Sequence, residues 1–133
     1  MAAEAKNEGY PFVQKTIDEW NQKINCFSMS GEILLGVFIG EKCIGIGGLN
    51  VDPYDNDPSI GRGHHLYISK RYRRQGIAKD LSNRIIRVAQ EFFTILRGST
   101  NNPVAAKFYE TMGAKKSDKL KQTHALPNLK IHK

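Results

Sequence analysis

The stretch from Gly63 to Leu81 constrains the fold most, because a strand, a basic turn and a helix follow one another without a break. A strand is predicted around residues 62–68, where aromatic, imidazole and branched side chains suit a pleated surface. A helix is predicted from residue 76 to about residue 91, since apolar residues recur there at spacings of three and four. The chain therefore contains a strand–turn–helix unit of the α/β kind.

The basic turn, residues 70–76, has the features of a phosphate-binding site made by backbone groups. A helix N-terminus has unpaired N–H groups and the positive end of the helix dipole, so it favours an anion. Gly76 allows close approach to the backbone, and Ala78 keeps the first helical turn thin. Four cations in residues 70–74 add long-range attraction. The glycine patterns of Walker and Rossmann nucleotide loops do not occur in the sequence.

Two segments resemble a known family. The run Arg73-Arg74-Gln75-Gly76-Ile77-Ala78 matches Arg/Gln-x-x-Gly-x-Gly/Ala, the acetyl-coenzyme A signature of the GCN5-related N-acetyltransferases. Residues 66–73 resemble strand 4 of that family and its exit. Downstream, residues 102–113 closely resemble the family's Asn-x-x-Ala-x-x-Phe/Leu-Tyr-x-x-x-Gly segment after strand 5, with Ala114 where the family typically has Phe. The resemblance covers roughly residues 32–126.

This resemblance implies an α/β (α+β) fold with a mixed, mostly antiparallel sheet that is splayed between strands 4 and 5 and flanked by helices. The predicted order of elements agrees, with a helix over residues 11–23 and a hairpin of apolar strands over residues 33–51. We expect a single acetyltransferase domain over residues 1–133, with residues 1–9 disordered. No convincing first strand is found, so either residues 1–9 supply it poorly or it is missing.

The resemblance also implies acetyl-coenzyme A as cosubstrate, without a metal. By the same alignment, the main chain at Ile68 pairs with the pantetheine amides and supports the thioester carbonyl. The N–H groups from Arg74 to Ala78 hold the pyrophosphate, and the Asn102 side chain contacts the pantetheine arm. The implied cofactor-binding residues are Leu66, Tyr67, Ile68, Arg73, Arg74, Gln75, Gly76, Ile77, Ala78, Lys79, Asn102, Ala105 and Phe108.

Transfer of an acetyl group to an amine requires a base for the amine proton and benefits from an acid for the departing thiolate. Tyr109 matches the family's general-acid tyrosine, and its alternative role is that of an ordinary core residue on an apolar helix face. His64 matches a histidine of the arylalkylamine-acetylating relatives, whereas Arg62 stands where histone-acetylating relatives have a glutamate. His65 is a second candidate base, because a β-bulge would exchange the two faces. A water chain is a third.

The net charge is +7, from 20 Lys and Arg against 13 Asp and Glu. Such a charge favours anionic ligands, nucleic acid or an anionic membrane. Coenzyme A is itself a polyanion, so a basic surface near its site requires no nucleic acid. Two alternatives stay open, namely a basic nucleic-acid-binding module and a non-catalytic coenzyme A sensor. Nucleic acid is the weaker one, since the aromatic residues are not interleaved with the cations.

Other features concern the setting in which the protein works. The longest apolar run, Ile33 to Ile39, is far short of the ~20 residues that cross a bilayer, and it is predicted to be a strand covered on both faces. No basic-then-apolar leader follows Met1, so we expect a cytoplasmic protein. Cys26 and Cys43 are expected to be reduced. The acceptor is expected to be a small-molecule or peptide amine, and homodimers are frequent in the resembling superfamily.

Three aspartates lie within residues 52–57. Their spacing faintly resembles a calcium loop, but Pro58 stands where such a loop requires Gly and no Glu completes the pattern downstream. We therefore expect no metal there and predict a solvated turn. Attraction of a cationic amine to these carboxylates is the alternative.

Overall fold

The computed structural model describes residues 1–54, 56–98, 110, 115–116 and 124–126. The elements in chain order are α1 Ala2–Asn7, α2 Phe12–Asn21, β1 Ile33–Ile39, β2 Lys42–Val51, β3 Ile60–Ile68, a 3₁₀ turn Lys70–Tyr72, α3 Ile77–Phe92, β4 Ile95–Gly98, β5 Lys115–Lys116 and β6 His124–Leu126. The segment over residues 102–113 that resembles the family motif lies outside the described residues, apart from residue 110.

The described strands form one mixed sheet of six, in the order β1-β2-β3-β4-β6-β5. Strands β1, β2 and β3 pair antiparallel, β3 and β4 pair parallel, and β6 pairs antiparallel with both β4 and β5. Helix α3 is the crossover between the two parallel strands, as such a pair requires. The predicted fold class is confirmed.

Helix α3 packs on one face of the sheet, and α1 and α2 pack on the other. The α3 face has a core of Leu49, Ile68, Leu81, Ile85, Ala89 and Phe93. Close packing depends on a glycine in β2, since a Cβ on Gly47 would lie 2.9 Å from Ile85 Cδ1. The opposite face has a smaller core of Ala5, Val13, Ile46 and Tyr67.

Two expectations about the first 40 residues are corrected by the structure. Residues 1–9 were predicted to be disordered, yet Ala2–Asn7 forms a helix because the Ala5 side chain is fully buried against the sheet. Strand β1 was predicted to be covered on both faces, yet it is an edge strand with Phe38 60% and Ile39 52% exposed. Residues 1–32, all of them described, contain α1 and α2 and no strand.

None of the helices in the described ranges is long and apolar enough to cross a membrane. Cys26 and Cys43 are both free thiols.

Candidate functional site

The N-terminus of α3 presents its backbone to open space. Gly76 precedes the helix with φ +81°, a left-handed conformation that favours glycine, and a Cβ built there would meet no atom within 4 Å. No side chain of the described residues caps this helix end. Arg74 and Gln75 are exposed beside it, and Arg74 also has a left-handed φ of +63°. An anion can therefore approach the first N–H groups of α3 directly.

Arg73 belongs to the same turn but is directed into the protein. Its Nη1 and Nη2 atoms each donate to the Glu8 carboxylate at 2.8 Å, and its Nε atom donates to the Ile68 carbonyl oxygen at 2.8 Å. The hydrogen bonds that Arg73 donates to Glu8 raise the pKa of Arg73, and the same bonds lower the pKa of Glu8. Arg73 thus ties the basic turn to β3 and to the residue after α1.

Tyr67 is the second anchor of the N-terminal segment. Its hydroxyl lies 2.8 Å from a Glu4 oxygen and 2.5 Å from a Glu8 oxygen. Burial, together with hydrogen bonds to Glu8 and Glu4, raises the pKa of Tyr67 well above its ordinary value. A single O–H donor is shared between two carboxylates, so this tyrosine remains protonated and holds the helix on the sheet.

Beyond Arg62, the β4 side of β3 has no strand partner among the described residues. Parallel pairing with β4 covers three residue pairs there and ends at Arg62 and Arg97, whereas β3 continues to Ile68. The Ser69 N–H group donates to the Ile44 carbonyl of β2, so the preceding main-chain groups of Ile68 face the opposite side. That side is the direction of β4, and the Arg73 bond to the Ile68 carbonyl lies there. The geometry agrees with a sheet splayed between these two strands.

A cleft of about 870 Å³ lies at the other end of β3. We call it the Asn50 cleft. It is formed by one side of α2, the segment between α2 and β1, the end of β2, the turn after β2 and the first half of β3. Its lining residues include Asn25, Phe27, Asn50, Tyr54, Arg62 and His64.

Two asparagines orient His64 in this cleft. The Phe27 N–H group donates to Asn25 Oδ1 at 3.1 Å, which fixes Asn25 Nδ2 as the donor to Asn50 Oδ1 at 3.0 Å. Asn50 Nδ2 returns a bond to Asn25 Oδ1 at 3.1 Å. His64 Nε2 contacts the same Asn50 Oδ1, an acceptor, so Nε2 carries the proton. In the neutral ring, Nδ1 is then the basic nitrogen.

Asp52 is buried at the base of the cleft rather than solvated. Its carboxylate accepts from Arg62 Nε at 2.7 Å and from Arg97 Nη1 at 3.2 Å, and its side chain is 0% exposed. The Tyr54 ring lies against Arg62, with 4.9 Å between the guanidinium carbon and the ring centroid. Asp57 accepts from Ser59 N at 2.9 Å and Ser59 Oγ at 2.6 Å. The described residues contain no cluster suited to a metal ion.

Comparison with known proteins places this arrangement in a family. The model of the acetyltransferase (GNAT) family matches residues 2–114. The chain belongs to this family. A search of curated proteins finds no match.

Solved structures confirm the GNAT fold. A proposed acetyltransferase from Exiguobacterium sp. 255-15 is 22% identical, with a TM-score of 0.83 over 94% of this chain and 80% of that chain. The ribosomal-protein-S18-alanine N-acetyltransferase from Escherichia coli is 14% identical, with a TM-score of 0.59 over 80% of this chain and 76% of that chain. Rv2747 from Mycobacterium tuberculosis, solved in complex with CoA, is 16% identical, with a TM-score of 0.54 over 64% of this chain and 49% of that chain.

The predicted site residues have several different surroundings in this GNAT domain. The side chains of Leu66, Ile68, Ile77 and Ala78 pack in or against the core on the α3 side, so a ligand can meet mainly their backbone. The exposed members of the predicted set are Arg74, Gln75, Gly76 and Lys79. His65 lies in β3, but its side chain is outside the described structure, as are Asn102, Ala105, Phe108 and Tyr109.

Sequence reasoning missed the partners that hold these residues. Glu4 and Glu8 lie in a segment expected to be disordered, and their partners Tyr67 and Arg73 are more than 50 residues away in sequence. Asn50 becomes visible as the partner of His64 only from the register of β2 against β3, which pairs Asn50 with Arg62 and Gly48 with His64. Asn25 is recognised only through its hydrogen bonds to Asn50. The two carboxylates at helical spacing, Glu4 and Glu8, were the one available signal.

Proposed function

We propose that this GNAT-family protein is an N-acetyltransferase, which transfers the acetyl group of acetyl-coenzyme A to a primary amine by direct attack. The observation that carries the proposal is the open backbone of Gly76 at the N-terminus of α3, with exposed cations beside it. This site fits a pyrophosphate, because unpaired N–H groups and a glycine without neighbours allow close approach. Acetyl-coenzyme A supplies the acyl group as a thioester.

The unpaired part of β3 supports the position of the pantetheine arm. The arm carries amide groups, which can pair with main-chain groups at an open strand edge. We propose that the main chain near Ile68 takes this role on the side of β3 where pairing with β4 ends among the described residues. The arm then leads from the basic turn toward the middle of β3, where His64 lies.

His64 is our choice for the base that receives the amine proton. The Asn25–Asn50 pair holds its Nε2 protonated, so Nδ1 is the atom that accepts the proton. The charge that develops on the ring is stabilised by the Asn50 carbonyl oxygen, which faces the Nε2–H group. A water chain is the alternative if His64 is dispensable, and His65 stays a prediction.

Tyr109 is proposed as the acid that protonates the sulfur of the departing thiolate. The support is its match to the family motif, since residue 109 lies outside the described residues. The same holds for the proposed contact of Asn102 with the pantetheine arm and for Ala105 and Phe108 in that site.

The acceptor is proposed to be an amine on a small molecule or a peptide. The E. coli neighbour is named for a ribosomal-protein alanine, which shows that this fold can serve a protein acceptor. A cytoplasmic location, a single domain over the whole chain and a homodimer stay predictions.

The test is acetylation of an amine panel with acetyl-coenzyme A, read by free thiol release and by the mass of the product. We expect thiol release that requires both protein and amine, with one acetyl group added per thiol released. Binding of acetyl-coenzyme A without turnover on any amine would favour a coenzyme A sensor. Absence of binding, with a salt-dependent affinity for RNA, would favour the nucleic-acid module instead.

A further inference from the structure

Arg62 is a buried cation that the proposed chemistry does not use. It lines the Asn50 cleft and is 7% exposed. Its Nε atom donates to Asp52, but its Nη2 atom is buried and has no hydrogen-bond partner among the described residues. A buried guanidinium donor without an acceptor costs free energy, and arginine keeps its charge across the physiological pH range.

We propose that Arg62 binds a carboxylate of the acceptor, so that the substrate is an amine that also carries an acid group. This inference rests on the proposed function, and it names the class of acceptor for that same site. A guanidinium is suited to this role because its N–H donors match the two oxygens of a carboxylate.

The spacing between Arg62 and His64 supports one acceptor molecule that reaches both residues. They are two residues apart on β3 and both line the cleft, so their backbone positions are about 6.6 Å apart. One molecule with a short chain of atoms between its amine and its carboxylate can therefore reach His64 Nδ1 and Arg62 together.

The other charged residues that line the cleft in the described structure are Lys15, Glu19, Glu32, Asp52 and Asp57, mostly carboxylates, which suits the ammonium end of such a molecule. Glu32 and Asp57 also line the cleft, and local donors hold both carboxylates in place. Glu32 accepts from Met29 N at 3.1 Å and from Val51 N at 2.9 Å. The cleft thus offers acceptors for an ammonium group and, at Arg62, a donor for a carboxylate.

Tyr54 controls access to Arg62 in this proposal. Its ring covers the guanidinium and is 49% exposed, so rotation toward solvent opens Arg62 to the cleft. The Asp52 carboxylate accepts from Nε and keeps the guanidinium in place while the acceptor binds.

The experiment compares acids with their carboxamides as acceptors of the wild-type protein. One arm uses free amino acids with increasing amine-to-carboxylate separation, namely glycine, β-alanine and 4-aminobutyrate, beside their amides. A second arm uses C-terminally amidated peptides that differ only in Glu or Gln at the second position. We expect kcat/KM for an acid to exceed that for its amide by roughly 10- to 100-fold, as for a charged hydrogen bond. The arm with the larger ratio identifies a free or a peptide-borne carboxylate.

Arg62→Lys and Arg97→Lys form a matched pair of variants. Arg97 holds the same Asp52 carboxylate, but it is not among the described residues that line the cleft. We expect Arg62→Lys to reduce the acid-to-amide ratio by about tenfold or more, and Arg97→Lys to leave the ratio unchanged. Thermal melting of both variants reports any loss of stability. Such a loss lowers the rates with acid and amide alike, so it leaves the acid-to-amide ratio unchanged.

Each outcome decides between the two proposals. Acetylation of amides as fast as acids overturns the carboxylate site and leaves the acetyltransferase proposal intact. Equal loss of the acid-to-amide ratio in both variants also overturns it, since the effect would then arise through Asp52. Acetylation of no member of either arm, without acetyl-coenzyme A binding, overturns the proposed function and this inference with it.

Discussion

Replacing Gly76 with alanine tests the backbone of the basic turn without a change in packing. At φ +81° an added Cβ crowds its own carbonyl, which costs about 1–2 kcal/mol. The new methyl group meets no atom within 4 Å, so no packing energy is added or lost. We expect Gly76→Ala to lower the free energy of unfolding by about 1 kcal/mol, and the melting temperature by about 4 °C.

The same substitution has a second and larger effect on the ligand. The methyl group would occupy the open space that we assign to the pyrophosphate of acetyl-coenzyme A. Loss of one charged hydrogen bond to a backbone N–H group costs about 1.5–3 kcal/mol, which raises the dissociation constant roughly 10- to 100-fold. Titration calorimetry with acetyl-coenzyme A measures this change directly.

Gly40→Ala is the control for the strain. Gly40 lies in the turn between β1 and β2 with φ +60°, and a Cβ there also meets no atom within 4 Å. We expect a similar loss of stability and an unchanged affinity for acetyl-coenzyme A. The reasoning is refuted if Gly76→Ala binds acetyl-coenzyme A as tightly as Gly40→Ala does.

Three further predictions concern the other parts of the site. Tyr109→Phe should lower kcat about tenfold or more with little change in acetyl-coenzyme A affinity, as measured by steady-state kinetics and calorimetry; an unchanged kcat contradicts the acid role. Asn50→Ala removes the acceptor that keeps His64 Nε2 protonated, so it should lower kcat about tenfold and change the pH profile of kcat. If Asn50 had a purely structural role, the substitution would lower stability alone. Glu8→Gln should lower the free energy of unfolding by about 1 kcal/mol near pH 7, a small value because the Arg73 side chain is 36% exposed. The fold lowers the pKa of Glu8 from 4.5, so this stability is present above about pH 4.5 and is lost as pH falls through the lower value. The melting temperatures of the two proteins should therefore converge as the pH is lowered below 4.5.

The core of the fold could be predicted because it depends on local patterns. The helical spacing after Ile77 reflects one buried helix face, and the apolar and small residues of β2 reflect a strand buried on both faces. Both patterns lie within neighbouring residues of the sequence. Glycine within a strand is typical of close backbone approach, and Gly47 of β2 makes room for α3. The basic turn was predictable for the same reason, since Gly76 and the start of α3 are adjacent in the chain.

The partners across the sheet could not be predicted, because they depend on register and on long-range contacts. Glu8 binds Arg73, which is 65 residues away in sequence, and the residues next to Glu8 do not indicate this contact. The exposure of Phe38 could not be predicted for a similar reason. An apolar strand looks the same in sequence at the centre and at the edge of a sheet, and β1 lies at the edge.

The most direct test of the central claim is thermal melting with acetyl-coenzyme A, beside adenosine 3′,5′-bisphosphate and desulfo-coenzyme A. At 100 times its dissociation constant a ligand stabilises a protein by ~2.7 kcal/mol, which corresponds to a shift of about 10 °C for a domain of this size. We predict a shift of this order with acetyl-coenzyme A and with desulfo-coenzyme A, and a much smaller one with the bisphosphate that lacks the pantetheine arm. No shift at millimolar acetyl-coenzyme A would contradict the account.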